Sequence, residues 1–315
     1  MNGTSVRHRV GPESRHYAWD NSLKPCLRVA SGDIVQFDAQ DCSGGQITTS
    51  STAADILSFD MATIDPVFGP VYVEGAEPGD ALHVTVLEAR TADWGWTANI
   101  PGFGLLADEF TAPALIICRL GSDTRASAEF LPRVHVPLRP FPGIMGVAPA
   151  APGEHAVVPP RATGGNLDAR DLVAGSTLVL PVEVPGALFS CGDGHAAQGD
   201  GELCGTAIET AMTIVVRLDV VKGTAPRWPR FVTPGPLRPQ VDAAGYEATM
   251  GIATELEEAA RAAAREMVDH LAATRGLSRP DAYLLCSVCA DLHVSQIVDE
   301  PNVSVSLYVP RGIFA

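Results

Sequence analysis

Lysine is nearly absent from this chain of 315 residues, where 22 basic residues include only Lys24 and Lys222 as lysines. Any mechanism built on a lysine base or nucleophile therefore has two candidates. Positive charge is short overall, with 22 Lys and Arg against 37 Asp and Glu and a formal charge of -15. Such a surface repels phosphate and cannot release counterions as a basic nucleic-acid binder does. Long apolar runs are missing too: none approaches the roughly 18 residues that span a bilayer. The opening MNGTSVRHRVGPESRHYAWD carries no apolar signal core. The expectation is a cytoplasmic protein with neither a nucleic-acid nor a membrane partner. Seven scattered cysteines, an odd number, fit reduced thiols better than a disulfide framework. GxSxG, HExxH, Walker A, GxGxxG and the D-x-D-x-D-G calcium loop are all absent, which removes the commonest hydrolase, nucleotide and EF-hand signatures.

What is present is a foldable, strand-rich chain. Hydrophobic residues make up 46% and charged ones 19%, enough apolar surface to offset the entropy of ordering. Up to about residue 220, Gly, Pro, Asp and Asn recur at short intervals between β-branched or alternating runs. Strands are expected at 33–38, 81–89, 113–118, 176–184 and 213–221. Pro78, Gly79 and Asp80 form a turn that feeds the second of these. One stretch, 254–274, is rich in Ala, Glu, Arg and Leu and stops before Gly276, so it reads as a helix. Leu256, Ala260, Ala263, Met267 and Leu271 fall on one of its faces, which should pack on a sheet. Further strands are expected at 282–288, 293–298 and 303–309. The fold class is thus mainly β, β-sandwich-dominated, with a smaller C-terminal α+β portion. The expected division is 1–220 for the β core and 221–315 for the α+β part. Residues 140–160 look too rich in Pro and Gly for regular structure and are expected to form a long loop, either a binding element or an ordered surface connection.

Reactive side chains are densest in CGDGHAAQGDGELCGT, residues 191–206. In an extended segment the Asp-Gly-His triplet aims Asp193 and His195 the same way, and neighbouring glycines allow close approach to a ligand. The pair could supply two metal ligands, with Glu202 as proton shuttle beside them. The bland alternative is a pair of turns in which Asp satisfies backbone donors. Outlying candidates are His16 in HYAWDN, Asp41 in DAQDCSGGQ, and Asn166 and Asp168 in GGNLD; each could equally be structural. Cys191 and Cys204 bracket the cluster and are weaker ligand candidates. The CxxC at Cys286 and Cys289 lies in an apolar run and reads as core.

The segment CGDGHAAQGDGELCGTAIE resembles the signature of the acetamidase/formamidase family. HYAWDNSLKP, DAQDCSGGQITTSS, DPVFGPVYVEGAEPGDAL, PPRATGGNLDARDL and DLHVSQIVD resemble successive blocks of that family in the same order, so the likeness spans nearly the whole chain. It implies an enzyme that hydrolyses the C–N bond of small amides such as formamide or acetamide. A β-sandwich-dominated fold, a divalent metal and homo-oligomeric assembly are implied with it. Zn2+ is expected before Ca2+, because His195 favours the softer ion. On this likeness Asp41, Asp193 and His195, together with His16, hold the metal. Glu202 moves the proton, and Asn166 and Asp168 orient the ligands from behind. Gly44, Gly45 and the Gly143-Ile144 step line a substrate site, and 140–149 walls a pocket that prefers short acyl groups. Two other readings stand beside this one. A serine-nucleophile amidase would need Lys24 or Lys222 as its base, and a non-catalytic β-sandwich module would keep the cluster only for Ca2+.

Overall fold

The computed structural model describes residues 8–104, 111–121, 127–131, 134–198, 202, 204–235, 245–277 and 291–311. Alternation of β-branched residues builds the first sheet. Asp33–Ala39 pairs antiparallel with Met212–Val221, which pairs in turn with Ala81–Thr91. From there the ladder continues through Thr177–Pro181, Arg230–Val232, Tyr246–Ala253 and Val303–Pro310 to Asp291–Gln296, and His8–Val10 adds in parallel at the other edge, giving nine strands. Strands on both sides of position 220 therefore share one sheet.

A second sheet, also nine-stranded, centres on Phe189–His195, flanked by Phe141–Gly146, Glu209–Thr210 and Val67–Val73. The two sheets bury their inner faces against each other. Val35, Phe37, Val84 and Ile214 from the first meet Phe68, Val71, Met145 and Phe189 from the second in one core. Phe37 and Phe189 touch edge to face across it, ring centres 5.8 Å apart. This is the sandwich expected from the sequence, since each strand presents alternate side chains to the partner sheet.

The helix runs Leu256–Arg275, with Gly276 in the left-handed conformation at its end. It packs on the sheet through Ala259, Ala263, Met267, Val268 and Leu271, against Val305, Leu307 and Val309. Leu256, expected on this face, is instead 40% exposed and does not join the packed cluster. Gly251 permits the close approach: a Cβ there would collide with Ala259 O and come within 2.5 Å of Ala263 N. No helix among the described residues is long and apolar enough to cross a membrane.

One expectation fails on the Pro- and Gly-rich stretch. Residues 141–146 form a fully buried strand paired on both sides, rather than a loop. Pro142 stands second in the strand, opposite Gly194 and beyond the three residues paired with Gly164–Asn166, near an end where a missing N–H interrupts the ladder least. The strand expected at 282–288, with its CxxC, lies outside the described residues.

Candidate active site and metal centre

Strand Phe189–His195 carries the reactive cluster on its last residues. Phe189 and Cys191 enter the sandwich core, whereas Asp193 and His195 point into a cavity of about 380 Å³. Asp193 takes φ 55°, a left-handed conformation that interrupts the regular pleat. The next strand returns Glu209 directly opposite His195 in register. Glu202 comes from the connection between them, Asp168 from the turn after Gly164–Asn166, and Asp65 from the residue pair preceding Val67–Val73. Asp299 lies between the last two strands of the other sheet.

These elements place six carboxyl groups and one imidazole around a single cavity, whose described lining holds no lysine or arginine. His195 Nε2 is 2.9 Å from Asp193 Oδ2, 3.2 Å from Glu209 Oε2 and 3.9 Å from Glu202 Oε1. Its other nitrogen, Nδ1, lies 2.8 Å from Gln198 Oε1. The Gln198 amide is fixed in turn by Nε2 donating to Asp168 O at 2.8 Å. Gln198 Oε1 is therefore the acceptor, Nδ1 carries the hydrogen, and Nε2 faces the carboxylates. Phe141 stacks edge-on to the imidazole, ring centres 5.1 Å apart.

Burial and mutual repulsion set the protonation of this cluster. Desolvation, with neighbouring carboxylates adding to it, pushes Asp65, Asp168 and Glu202 well above the usual carboxylate range. Desolvation also lifts Glu209 and moves Asp299 up to about 7. For His195 desolvation alone acts downward, but the charges of Asp193 and Glu209 outweigh it and hold the imidazole well above its ordinary value. The backbone is strained at the same place. Of six described non-glycine residues with positive φ, Asp65, Asp168, Asp193 and Glu202 are four, and all four line the cavity. Strain held at side chains of one function points to a site rather than to a defect.

The donor set suits a divalent cation. Ligand atoms of Asp168, Asp193 and His195 lie within 4.8 Å of one another, as do those of His195, Glu202 and Glu209, and of Asp168, Glu202 and Asp299. Asp168 Oδ1, Asp193 Oδ1 and Asn166 Oδ1 are buried and accept no hydrogen bond from any described residue. A cation bound there would replace the Nε2 proton of His195, leaving an imidazole that donates through Nδ1 and offers Nε2 to the metal, the arrangement metal-binding histidines adopt. Gly143 provides the room. It faces Asp193 across the ladder, and a Cβ there would come within 2.7 Å of Asp168 Oδ1 and 2.9 Å of His195 Cε1.

Asp193, His195, Glu202 and Asp168 are thus brought together, and Asn166 holds Asp299 through Nδ2 at 3.0 Å. His16 and Asp41 are not. His16 is engaged by Ala18 O at 2.8 Å and Ser190 Oγ at 2.9 Å, five residues up the strand from His195. Asp41 Oδ1 already receives Ser43 N, Ser43 Oγ and Trp96 Nε1, so it closes a turn below the cavity. Gly44 and Gly45 continue that turn with φ 65° and 87° and do not line the cavity, whereas Cys42 and Ser43 do. Nor does any residue of 140–149 line it. Gly143 lies beneath the cluster, where its missing side chain makes space, and the expected wall of short-acyl selectivity is absent from that stretch. Cys191 is core and Cys204 contacts Thr206, so neither joins the ligand groups. Asp65, Glu209, Asp299 and Gln198 were missed. The three acids stand inside the DPVFGP, CGTAIE and QIVD segments that carry the family resemblance, so the signal was present in the sequence.

Comparison with known proteins shows which family the chain is similar to. The model of the acetamidase/formamidase family matches residues 5–153 and 150–315. A formamidase of Methylophilus methylotrophus is 28% identical over 95% of this chain and 89% of its own length, and a putative formamidase of Schizosaccharomyces pombe shares the same figures. The crystal structure of an acetamidase from Bacillus halodurans superposes with a TM-score of 0.87 and 31% identity, covering 97% of this chain and 98% of that one. With the match running through every segment that builds the cavity, the chain belongs to the acetamidase/formamidase family.

Proposed function

We propose that the protein hydrolyses the C–N bond of small carboxamides, releasing ammonia and the carboxylate, with a divalent cation held by His195 together with carboxylates from Asp168, Asp193 and Glu209. One observation carries this reading: His195 Nε2 faces two carboxylates in a cavity whose described lining has no cationic side chain. Six clustered carboxyls need protons or a cation, and the imidazole lone pair selects a metal such as Zn2+ over Ca2+. Such an ion supplies Lewis acidity, which polarises an amide carbonyl and acidifies a water at neutral pH.

The remaining work falls to side chains. Gln198 holds the imidazole with Nδ1–H outward, so Nε2 stays available. Glu202 is buried, and desolvation pushes its carboxyl well above the usual carboxylate range. It is placed to take the proton of the attacking water and hand it to the departing nitrogen, which leaves as ammonia. The lysines contribute nothing to this: Lys222 is tied to Asp80 Oδ2 at 2.6 Å on the surface, Lys24 is exposed, and neither lines the cavity. A cytoplasmic location and homo-oligomeric assembly belong to the same reading and rest on family membership alone.

The test is ammonia release from acetamide by as-purified, chelator-stripped and zinc-restored protein, with metal content measured on each sample. Activity should vanish on stripping and return with zinc. Glu202→Gln should keep its metal and lower kcat by about 10²- to 10⁴-fold. Full activity in the stripped protein, or in a zinc-loaded Glu202→Gln variant, would overturn the proposal.

A further inference from the structure

We infer that the acyl group accepted by this cavity is an apolar one of several carbons rather than formyl or acetyl, an inference that rests on the amide-hydrolase reading above. The cavity lining is of two kinds. Beside the carboxyl cluster it presents Phe59, Ile64, Trp96, Ile100 and Phe103, with Met61, 59% exposed. At about 380 Å³ the space equals roughly a dozen waters at ~30 Å³ each, whereas acetamide has four non-hydrogen atoms. With the amide group at the cluster, most of the volume is left facing hydrocarbon.

That wall is fixed and dry in character. Trp96 is 1% exposed, and its one polar atom, Nε1, donates to Asp41 Oδ1 at 3.2 Å. Phe59 meets it edge to face at 6.1 Å, and Ile47, Ile56 and Ala98 pack in the same cluster. The hydroxyls nearby are already engaged. Ser43 Oγ donates to Asp41 and accepts from Ile47 N, and Thr206 Oγ1 donates to Ala98 O and accepts from Ala98 N, both at 3.1 Å. A hydroxyl on the substrate tail would be desolvated there without a free side-chain hydroxyl to replace its water, and a carboxylate tail would also meet the acidic cluster.

Phe103 ties this wall to the chemistry. A Cβ on Gly205 would fall within its ring, so the aromatic face rests directly on the turn whose Gly205 N donates to Glu202 O at 2.7 Å. Gly104 makes the reciprocal approach, where a Cβ would lie 3.0 Å from Cys204 O. An acyl chain packed on Phe103 therefore bears on the turn whose Gly205 N holds Glu202 O.

The experiment measures kcat/KM for acetamide, butyramide, hexanamide and succinamate by ammonia release with zinc-loaded protein, in wild type, Phe103→Ala and Met61→Ser. Buried methylenes should raise kcat/KM by at least about tenfold from acetamide to hexanamide, with succinamate below butyramide. Both variants should reduce the hexanamide-to-acetamide ratio several-fold, Phe103→Ala more, and circular dichroism checks their folding. A flat or falling series with acetamide still hydrolysed would overturn the acyl assignment and leave the amidase reading standing. Ammonia from none of the amides would overturn both. Met61→Ser, at an exposed position, keeps the assignment falsifiable if Phe103→Ala does not fold.

Discussion

Gly143 shows how much of the site depends on a side chain that is not there. A methyl group at this position would enter the space between Asp193, Asp168 and His195, and these are buried, so none can swing into solvent. Gly143→Ala should therefore cost about 1–3 kcal/mol of stability through overpacking and abolish metal retention. Denaturant unfolding and metal analysis on the same sample would read both, and wild-type zinc content in the variant would refute the argument. The sequence exposed the site unevenly at this scale. Asp193, His195 and Glu202 were legible because sixteen residues pack them with glycine, a density that turns alone do not require. Asp65, Glu209 and Asp299 were carried only by the family-like segments, since each is a single acid in its own segment and only the folded sheets bring the three together. Asp41 misled for the opposite reason: an acid beside Gly-Gly looks poised for a ligand, but its oxygen is consumed by three local donors. Gln198 gave no sign, because an amide that orients a histidine is indistinguishable in sequence from any surface glutamine.

At the scale of elements, periodicity located what local chemistry determines. The strands at 33–39, 81–91 and 212–221 and the helix at 256–275 lie within a few residues of their expected bounds, since alternation and alanine content report directly on the backbone state. The strand at 141–146 escaped, because Pro and Gly count against a strand unless the partner register is known, and that register is a tertiary fact. The helix contact is the element with the narrowest tolerance. Gly251 lets the helix settle on the sheet, where Thr249 Oγ1 donates to Ala263 O at 2.7 Å. Gly251→Ala should lift the helix and destabilise the fold by about 1–3 kcal/mol while leaving the distant cavity chemistry in place. Thermal unfolding beside a kcat/KM measurement separates the two, and a variant that loses activity without losing stability would contradict this account of the helix.

At the scale of the whole molecule, the acidic cluster makes stability depend on pH, and on the proposed metal reading the two dependences should be linked. In the metal-free protein Asp65, Asp168, Glu202, Glu209 and Asp299 all bind protons more tightly when folded than when unfolded, Asp299 to about 7, and His195 does the same. The folded state then holds more protons than the unfolded chain over this range, so stability falls as pH rises. The contribution is fully present below the unfolded carboxylate values near 4 and is lost as pH climbs through about 7 and beyond. A bound divalent cation replaces those protons and binds the folded state alone, so it should stabilise most where the protons have left. Tm of chelator-stripped protein should therefore drop steadily from pH 5 to pH 8, and the gap between zinc-loaded and stripped samples should widen over the same interval. A stripped protein whose Tm is level across that range would mean that the cluster keeps its charge without a cation, and the metal reading would lose its physical basis.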